Sequence, residues 1–319
     1  MLCLIIVKPF WAPTKVFALP IAVRLYRNRQ GLTKGKKSRG EASKPNPDHR
    51  TRPQLALELI QLVARWYPDD EIILTGDSTY GGKSILSYLP TNVHLISHVH
   101  PRGAPYKRAP IKKEGSKGAP RKKGDRLPGI VQWANDATQP WTRLKFNQFG
   151  LHATLEVKTI QALYYTAGAD RLLTIVLVRD CEGKRPDQMF YCTKLDWTAR
   201  QILSAYACRW AIECTFENCK QLLGLEDPAN RLPKAVERTA PMALIIYSLV
   251  IVWFHQIGHQ SVRFPIRPWY PKKQEPSFTD MLTTLRRISY EEKAEGLLSE
   301  RCPLKTVIAQ LIEFLSRAG

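Results

Sequence analysis

The sequence predicts an α/β fold with helices gathered towards its carboxyl end. Three observations lead there. Glu71–Asp77 reads as a short buried strand, followed by glycines, a helix starting near Lys83 and a second strand at Asn92–His98, a connection of the length that joins parallel strands. From Phe149 to Leu195 the pattern turns to β-branched and aromatic runs. Beyond Ala199 apolar residues recur at helical spacing.

At 319 residues, 44% of them hydrophobic, the chain can bury one or two sizeable cores. Its charge is unusual: 48 Lys and Arg against 28 Asp and Glu give +20, which points to a polyanionic partner or an anionic membrane surface. Arg24–Arg52 and Arg102–Arg126 each hold ten Lys or Arg and two acids, so these two stretches carry +16 of the total. The seven Cys include no C-x-x-C pair and are odd in number, which argues against a zinc knuckle or a disulfide framework and fits a reducing cytoplasm. Met1–Lys8 has an apolar run without the basic flank of a signal peptide. Met242–Phe254 falls well under the ~20 residues of a bilayer span and reads as a buried core helix, so no membrane partner is expected.

The elements follow in order. Leu2–Val7 and Lys15–Leu25 are apolar, β-branched runs that predict two neighbouring antiparallel strands. Arg27–Arg50 is a basic loop without periodicity, suited to phosphate contact or simply solvated. Pro53–Tyr67 has apolar residues at helical spacing and a proline suited to a first turn. Asp77 then sits at the carboxyl end of its strand, ahead of Gly81 and Gly82, where open α/β sheets place ligand chemistry; a helix-capping role is the plainer alternative. His94, His98 and His100 alternate on the next strand and read as a polar strand surface. Arg102–Arg126 is the second basic stretch, of a composition that suits phosphate tracking. Thr154–Thr166, Leu172–Arg179 and Met189–Thr193 predict an inserted antiparallel β-domain, with Trp133, Trp141 and Trp197 packing in or beside it. Ala199–Leu223 is a helix closed by Gly224, Met242–His255 a core helix, Arg263–Pro276 a linker, and Thr279–Ile288 and Pro303–Leu315 two amphipathic helices.

Tyr206, Arg209, Glu213 and Lys220 fall on one narrow stripe of the helix predicted over Ala199–Leu223. An Arg209–Glu213 ion pair on a solvated face would account for part of this. Tyr, two residues, Arg, three residues, Glu, six residues, Lys also resembles, without a gap, the Y-R-E-K signature of a large group of bacterial insertion-sequence transposases. Gly118–Arg126 is similar to the G-R-P-R-K-x-G-D-R segment of the same group. The resemblance spans roughly Leu2–Gly258. It implies an RNase H-like core with a DDE metal triad, in which Glu213 is the third carboxylate and Asp77, lying after two strands and a helix, matches the second. Tyr206, Arg209 and Lys220 would contact DNA near the scissile bond, and Arg121, Lys122, Lys123 and Arg126 its phosphates. The implied cofactor is a pair of Mg²⁺ ions, with Mn²⁺ as a substitute. The implied partners are double-stranded DNA at transposon ends, target DNA and a second copy of the chain in a homodimer on DNA, in the bacterial cytoplasm at the nucleoid.

On this alignment the domains are 1–101, the first part of the core; 102–198, the basic loop and β-rich insertion; 199–260, the second part of the core; and 261–319, a linker and carboxyl-terminal helices. The first Asp should lie on a strand before Leu2, and no Asp or Glu occurs before Glu41. The expectation is an incomplete core whose amino-terminal part is missing, with cleavage impaired and DNA binding retained. Two alternatives stand beside it: a non-catalytic DNA-binding remnant, and an intact nuclease using Asp77, Asp180 and Glu213.

Overall fold

The structure, a computed structural model, describes residues 2–27, 29, 47–112, 118–148, 151–227, 232–265, 268, 271–297 and 305–317. Most of the first basic loop, 30–46, therefore lies outside the described residues, as does Cys302. The chain divides into two compact units, Met1–Cys3 with Ala22–Trp210, and Leu4–Ile21 with Ala211–Gly319.

The first unit is built on helix α1 (Arg52–Trp66), strand β3 (Ile72–Thr75), the short helix α2 (Lys83–Leu86), strand β4 (Val93–His98), helix α3 (Ile130–Ala134), strands β5 (Thr142–Gln148) and β6 (Leu151–Leu163), helix α4 (Tyr165–Gly168), strands β7 (Leu172–Asp180) and β8 (Gln188–Cys192), and helix α5 (Ala199–Ala207). The strands preceding β3, β1 (Leu2–Val7) and β2 (Phe17–Val23), pair in a sheet of their own. The α1 helix starts where a capping box forces it to: the Thr51 side chain accepts from the Gln54 backbone, the Gln54 side chain accepts from the Thr51 backbone, and Pro53 fills a first-turn position that needs no donor.

Six strands form one mixed sheet in the order β3-β4-β8-β7-β6-β5. The predicted parallel pair is present, with Ile72 opposite Val93 and Thr75 opposite Ile96, and β8 then runs antiparallel to β4. Strands β6 to β8, the three expected to form a separate β-domain, thus continue, together with β5, the sheet that carries Asp77. β5 was not predicted, because only Leu144 and Phe146 of its seven residues are apolar, although they alternate with polar ones as a strand requires.

Strand periodicity sorts the two faces of this sheet. Val93, Leu95, Leu173, Ile175, Leu177, Met189 and Tyr191 point to one face and pack with α1, α2 and α3, around Ala56, Ile60, Ile85 and Trp133. Ile96, Val176, Phe190 and Cys192 point to the other, under Ile202 and Leu203 of α5. Each fully buried Leu or Ile here contributes about 1.5–3 kcal/mol relative to exposure. The result is a helix–sheet–helix sandwich, compatible with an RNase H-like core.

The second unit holds helices α6 (Ala211–Leu223), α7 (Pro233–Gln256), α8 (Phe278–Leu297) and α9 (Lys305–Arg317) with most of β1 and β2. Thr215 of α6 donates to the Ala18 carbonyl at 2.8 Å and Ser248 of α7 to that of Pro20 at 3.1 Å, so these helices hold β2 through its backbone. Trp11 packs edge-on against Phe254, and Tyr247 lies 4.5 Å from Phe278. Gly224 ends α6 with φ of +66°, the left-handed backbone that glycine adopts at least cost. The core helix expected at Met242–His255 is longer and only half buried: Ala243, Leu244, Tyr247, Val250, Ile251 and Phe254 are inside, whereas Met242, Ile245, Ile246, Leu249 and Val252 are exposed on the opposite face. By length and composition alone Lys234–Gln256 is sufficient to cross a membrane, contrary to the shorter span read from sequence. The six described cysteines are unbridged.

Candidate active site

The site assembles at the carboxyl ends of β3 and β4, on the face covered by α5. Beyond Thr75 and Ile96 the parallel register continues through the Gly76 N–H bond to the Ile96 carbonyl, which sets Asp77 beside His98. Asp77 opens a tight turn. Its side chain accepts the Thr79 N–H at 2.8 Å, and its carbonyl accepts the Tyr80 N–H at 3.0 Å and the Ser97 hydroxyl at 2.9 Å. The capping alternative is thereby answered: Asp77 caps its own turn, while α2 is capped at Gly82 without a side chain.

Two buried groups fasten this turn from below. One is Ser97; the other is Tyr191 of β8, which donates to the Gly81 carbonyl at 2.5 Å, and burial pushes its phenol well above the usual tyrosine range. Gly81 lies so close to them that a Cβ would meet the Ser97 hydroxyl at 2.4 Å and the Tyr191 hydroxyl at 2.6 Å. The carboxylate is exposed at the end of this rigid support, and among the described residues no cation lies within ion-pair distance of it.

His98 is half buried. Its ring packs 4.3 Å from Phe190 and edge-on to Tyr206 at 4.8 Å, and Phe190 itself meets Tyr206 at 4.8 Å. The Arg209 guanidinium stands 5.8 Å over the Tyr206 ring. Burial, then the charge of Arg209, lowers the His98 pKa, against the pull of Asp77. Burial raises that of Tyr206, opposed by the charge and hydrogen bond of Arg209. The same turn places Tyr80 where burial, and then the Asp77 charge, raise its phenol. Asp77, His98, Tyr206 and Arg209 are therefore one electrostatic neighbourhood.

The reading of all three histidines as a polar strand surface is corrected here. His94 does serve the surface, pairing with Glu71 at 3.0 Å. His98, four residues on, belongs to the site. The sequence placed His98 only at the end of its strand; the register that sets it beside Asp77, with Thr75 opposite Ile96, comes from the fold.

The helix predicted over Ala199–Leu223 is also corrected. A 3-10 turn at Cys208–Trp210 separates α5 from α6, so a uniform 100° per residue does not run from Tyr206 to Lys220. Tyr206 and Arg209 belong to the first unit and Glu213 and Lys220 to the second. Glu213 is exposed in the first turn of α6, and Lys220, two turns on, pairs with Glu226 at 2.7 Å.

Asp180 stands apart from Asp77. Both lie at the same end of the sheet, because β7 runs parallel to β4 through their shared antiparallel neighbour β8. Three strand spacings, about 14 Å, separate β7 from β3, and Asp180 lies four residues, about 13 Å, beyond the level of His98. A pair of catalytic ions only ~3.5–4 Å apart does not span that gap. Asp180 instead accepts the Glu182 N–H in a hairpin turn. The triad of Asp77, Asp180 and Glu213 is excluded.

Among the described residues no three His, Cys, Asp or Glu side chains come together in a set that would hold a metal ion. Asp77 meets the requirement for one oxygen ligand, being exposed and, among the described residues, outside ion-pair distance of any cation. Mg²⁺ keeps several waters and takes only one or two protein carboxylates together with substrate phosphates, so a single supported carboxylate fits as part of such a site. Of the basic residues singled out from the sequence, Arg121 pairs with Asp125 at 3.7 Å, Lys122 is exposed, Lys123 lies over two tyrosine rings, and Arg126 is bridged to Tyr106.

A family model described as DDE superfamily endonuclease matches residues 1–168, just over half of the chain. The match includes Asp77 and His98 and ends before β7. No individual curated protein matches.

Proposed function

The chain belongs to the DDE superfamily endonucleases, a transposase-like nuclease family that acts on DNA and uses divalent metal ions, and on that footing we propose that it is the catalytic part of a bacterial insertion-sequence transposase of the Y-R-E-K group. The observation that carries this reading is the Asp77 turn, braced by Ser97 and Tyr191 and flanked by Tyr206 and Arg209 of the signature. In the proposed assignment Asp77 and Glu213 hold Mg²⁺, which when bound polarises the scissile phosphodiester and activates the attacking water or 3′-hydroxyl. The chain's own residues do the rest. Arg209, stacked on Tyr206, presents a planar fork of donors to a phosphate, and His98 and Phe190 hold the Tyr206 ring in place. Lys220, paired with Glu226, would add a point charge. The cations of the second basic stretch track the backbone of element-end DNA, which a homodimer would bring together in the cytoplasm at the nucleoid.

A second reading, a DNA-binding protein without turnover, is favoured by one observation: β1 and β2 hold no Asp or Glu, and none occurs in the sequence before Glu41. The first carboxylate of the family's triad is then not supplied by β1 or β2; on this reading binding outlasts cleavage.

One experiment separates these readings. The purified chain is mixed with element-end DNA in Mg²⁺ or Mn²⁺, and strand scission and retention on DNA are both measured. Under the first reading Asp77→Ala and Glu213→Ala each lower scission by about 10²-fold or more, with retention unchanged, whereas Asp180→Ala has no effect. Scission that survives Asp77→Ala would falsify the assignment. Salt-sensitive retention without metal-dependent scission selects the second reading.

A further inference from the structure

The second basic stretch is fastened into a defined shape. Backbone hydrogen bonds join Lys107 to the Asp125 carbonyl, Gly124 to that of Lys107 and Leu127 to that of Pro105, each at 2.8 or 2.9 Å. Tyr106 bridges both Arg126 and Leu163. Gly124 is required for this closeness, since a Cβ there would stand 2.4 Å from the Arg108 carbonyl oxygen. The fold so produced borders an open cleft of about 540 Å³ lined by Tyr106, Tyr165, Arg121, Lys122, Lys123 and Arg126, together with Gly124 and Asp125. That volume lies within the about 300–1,000 Å³ of sites that take small molecules.

Both aromatic rings in the cleft touch one ammonium. Lys123 Nζ stands 4.0 Å from the Tyr106 ring centre and 4.9 Å from that of Tyr165. Phosphate tracking needs cations and has no use for ring faces. A duplex keeps its bases stacked on one another, so two tyrosines in a basic cleft are useful to nucleic acid only where a base is unpaired.

We propose that this cleft binds a nucleotide of single-stranded DNA, with its base against Tyr106 and Tyr165 and its phosphates on Arg121, Lys122 and Arg126. The inference rests on the reading that the partner is DNA, and deepens it to an unpaired segment. Lys123 acts as a placeholder, covering the rings in the empty cleft and turning to a phosphate when nucleic acid binds, whether or not a base enters. The exchange is favourable: an exposed cation–π contact is worth about 2–5-fold in affinity, whereas one base stacked on an aromatic side chain is worth about 5–150-fold. Asp125, held towards Arg121 at 3.7 Å, limits how far an anion would enter on that side.

The test uses the full chain in metal-free buffer, with labelled dT10 and a ten-base-pair duplex as probes and fluorescence anisotropy as the readout. Replacing both tyrosines (Tyr106→Leu with Tyr165→Leu) should weaken dT10 binding about tenfold or more and duplex binding less than about twofold. The double Tyr→Phe variant, which keeps the ring faces, should bind dT10 within about twofold of the parent. Lys123→Gln should weaken both probes alike and flatten their salt dependence. In the parent, a 2-aminopurine base within the single strand should lose fluorescence on binding. Equal losses for both probes in the leucine variant, or an unchanged 2-aminopurine signal in the parent, would overturn the proposal. Because no metal is present, an inactive nuclease leaves the result readable. A chain that binds neither probe sinks the DNA reading itself, whereas duplex binding without a tyrosine-dependent preference for dT10 sinks the cleft alone.

Discussion

Gly81 has no room for a side chain, and that single fact ties the Asp77 turn to the core. In Gly81→Ala the new methyl must displace the Ser97 and Tyr191 hydroxyls, which hold the turn through the Asp77 and Gly81 carbonyls. Overpacking of this kind costs about 1–3 kcal/mol. A thermal melt should show the loss as a midpoint several degrees lower. His98 adds a pH signature. Its pKa in the folded state lies below the unfolded value of about 6.5, because burial and Arg209 oppose its charge. The stability it contributes is therefore complete above the unfolded value and is lost as pH falls from there through the lower, folded one, since the unfolded chain takes up the proton first. Melts between pH 7.5 and 5.5 should fall more steeply for the parent than for His98→Gln; parallel curves would contradict this. Asp77 was legible in the sequence as a strand-end acid before glycines. The partners that fix it were not, because Tyr191 lies 110 residues from Gly81 in the chain and neither periodicity nor spacing reports such a contact.

At the scale of elements, local signals served where local chemistry decides. The Thr51 capping box and the left-handed Gly224 mark helix ends within a residue or so of their predicted places. The 3-10 turn at Cys208–Trp210 left no such mark, since no Gly or Pro interrupts the sequence there. Both faces of α7 are apolar, and composition alone does not tell which is covered. In the second unit, just before α8, Ser277 donates both its N–H and its hydroxyl to the Asp280 carboxylate, at 2.7 and 2.6 Å. Asp280 also pairs with Lys273, and although burial opposes its charge, these donors hold its carboxyl below the usual range. Asp280→Ala removes the bonds from Ser277 and strands a largely buried ammonium. It should destabilise the chain by about 3 kcal/mol, seen as a lower urea midpoint. Asp280→Asn, which keeps one acceptor, should lose less.

For the whole molecule, net charge and its clustering were readable from composition, and they set the expected response to salt. Removing one cation that neutralises a duplex phosphate should lower the slope of log affinity against log salt by about 0.9. Replacing Arg121, Lys122, Lys123 and Arg126 together by Gln should flatten that slope by about 3–4; an unchanged slope would place the duplex elsewhere on the surface. What composition did not disclose is that the strands expected as an inserted domain complete the sheet beneath Asp77. β4 pairs with β8, and β8 supplies the hydroxyl beneath Gly81. During synthesis, then, the acid-bearing loop leaves the ribosome more than a hundred residues before the strand that locks it, and must wait for that strand in an unfinished sheet. A fragment cut after residue 168, where the family match ends, would keep the acid and lose its lock, leaving the flanks of β4 and β6 open to pairing with other chains.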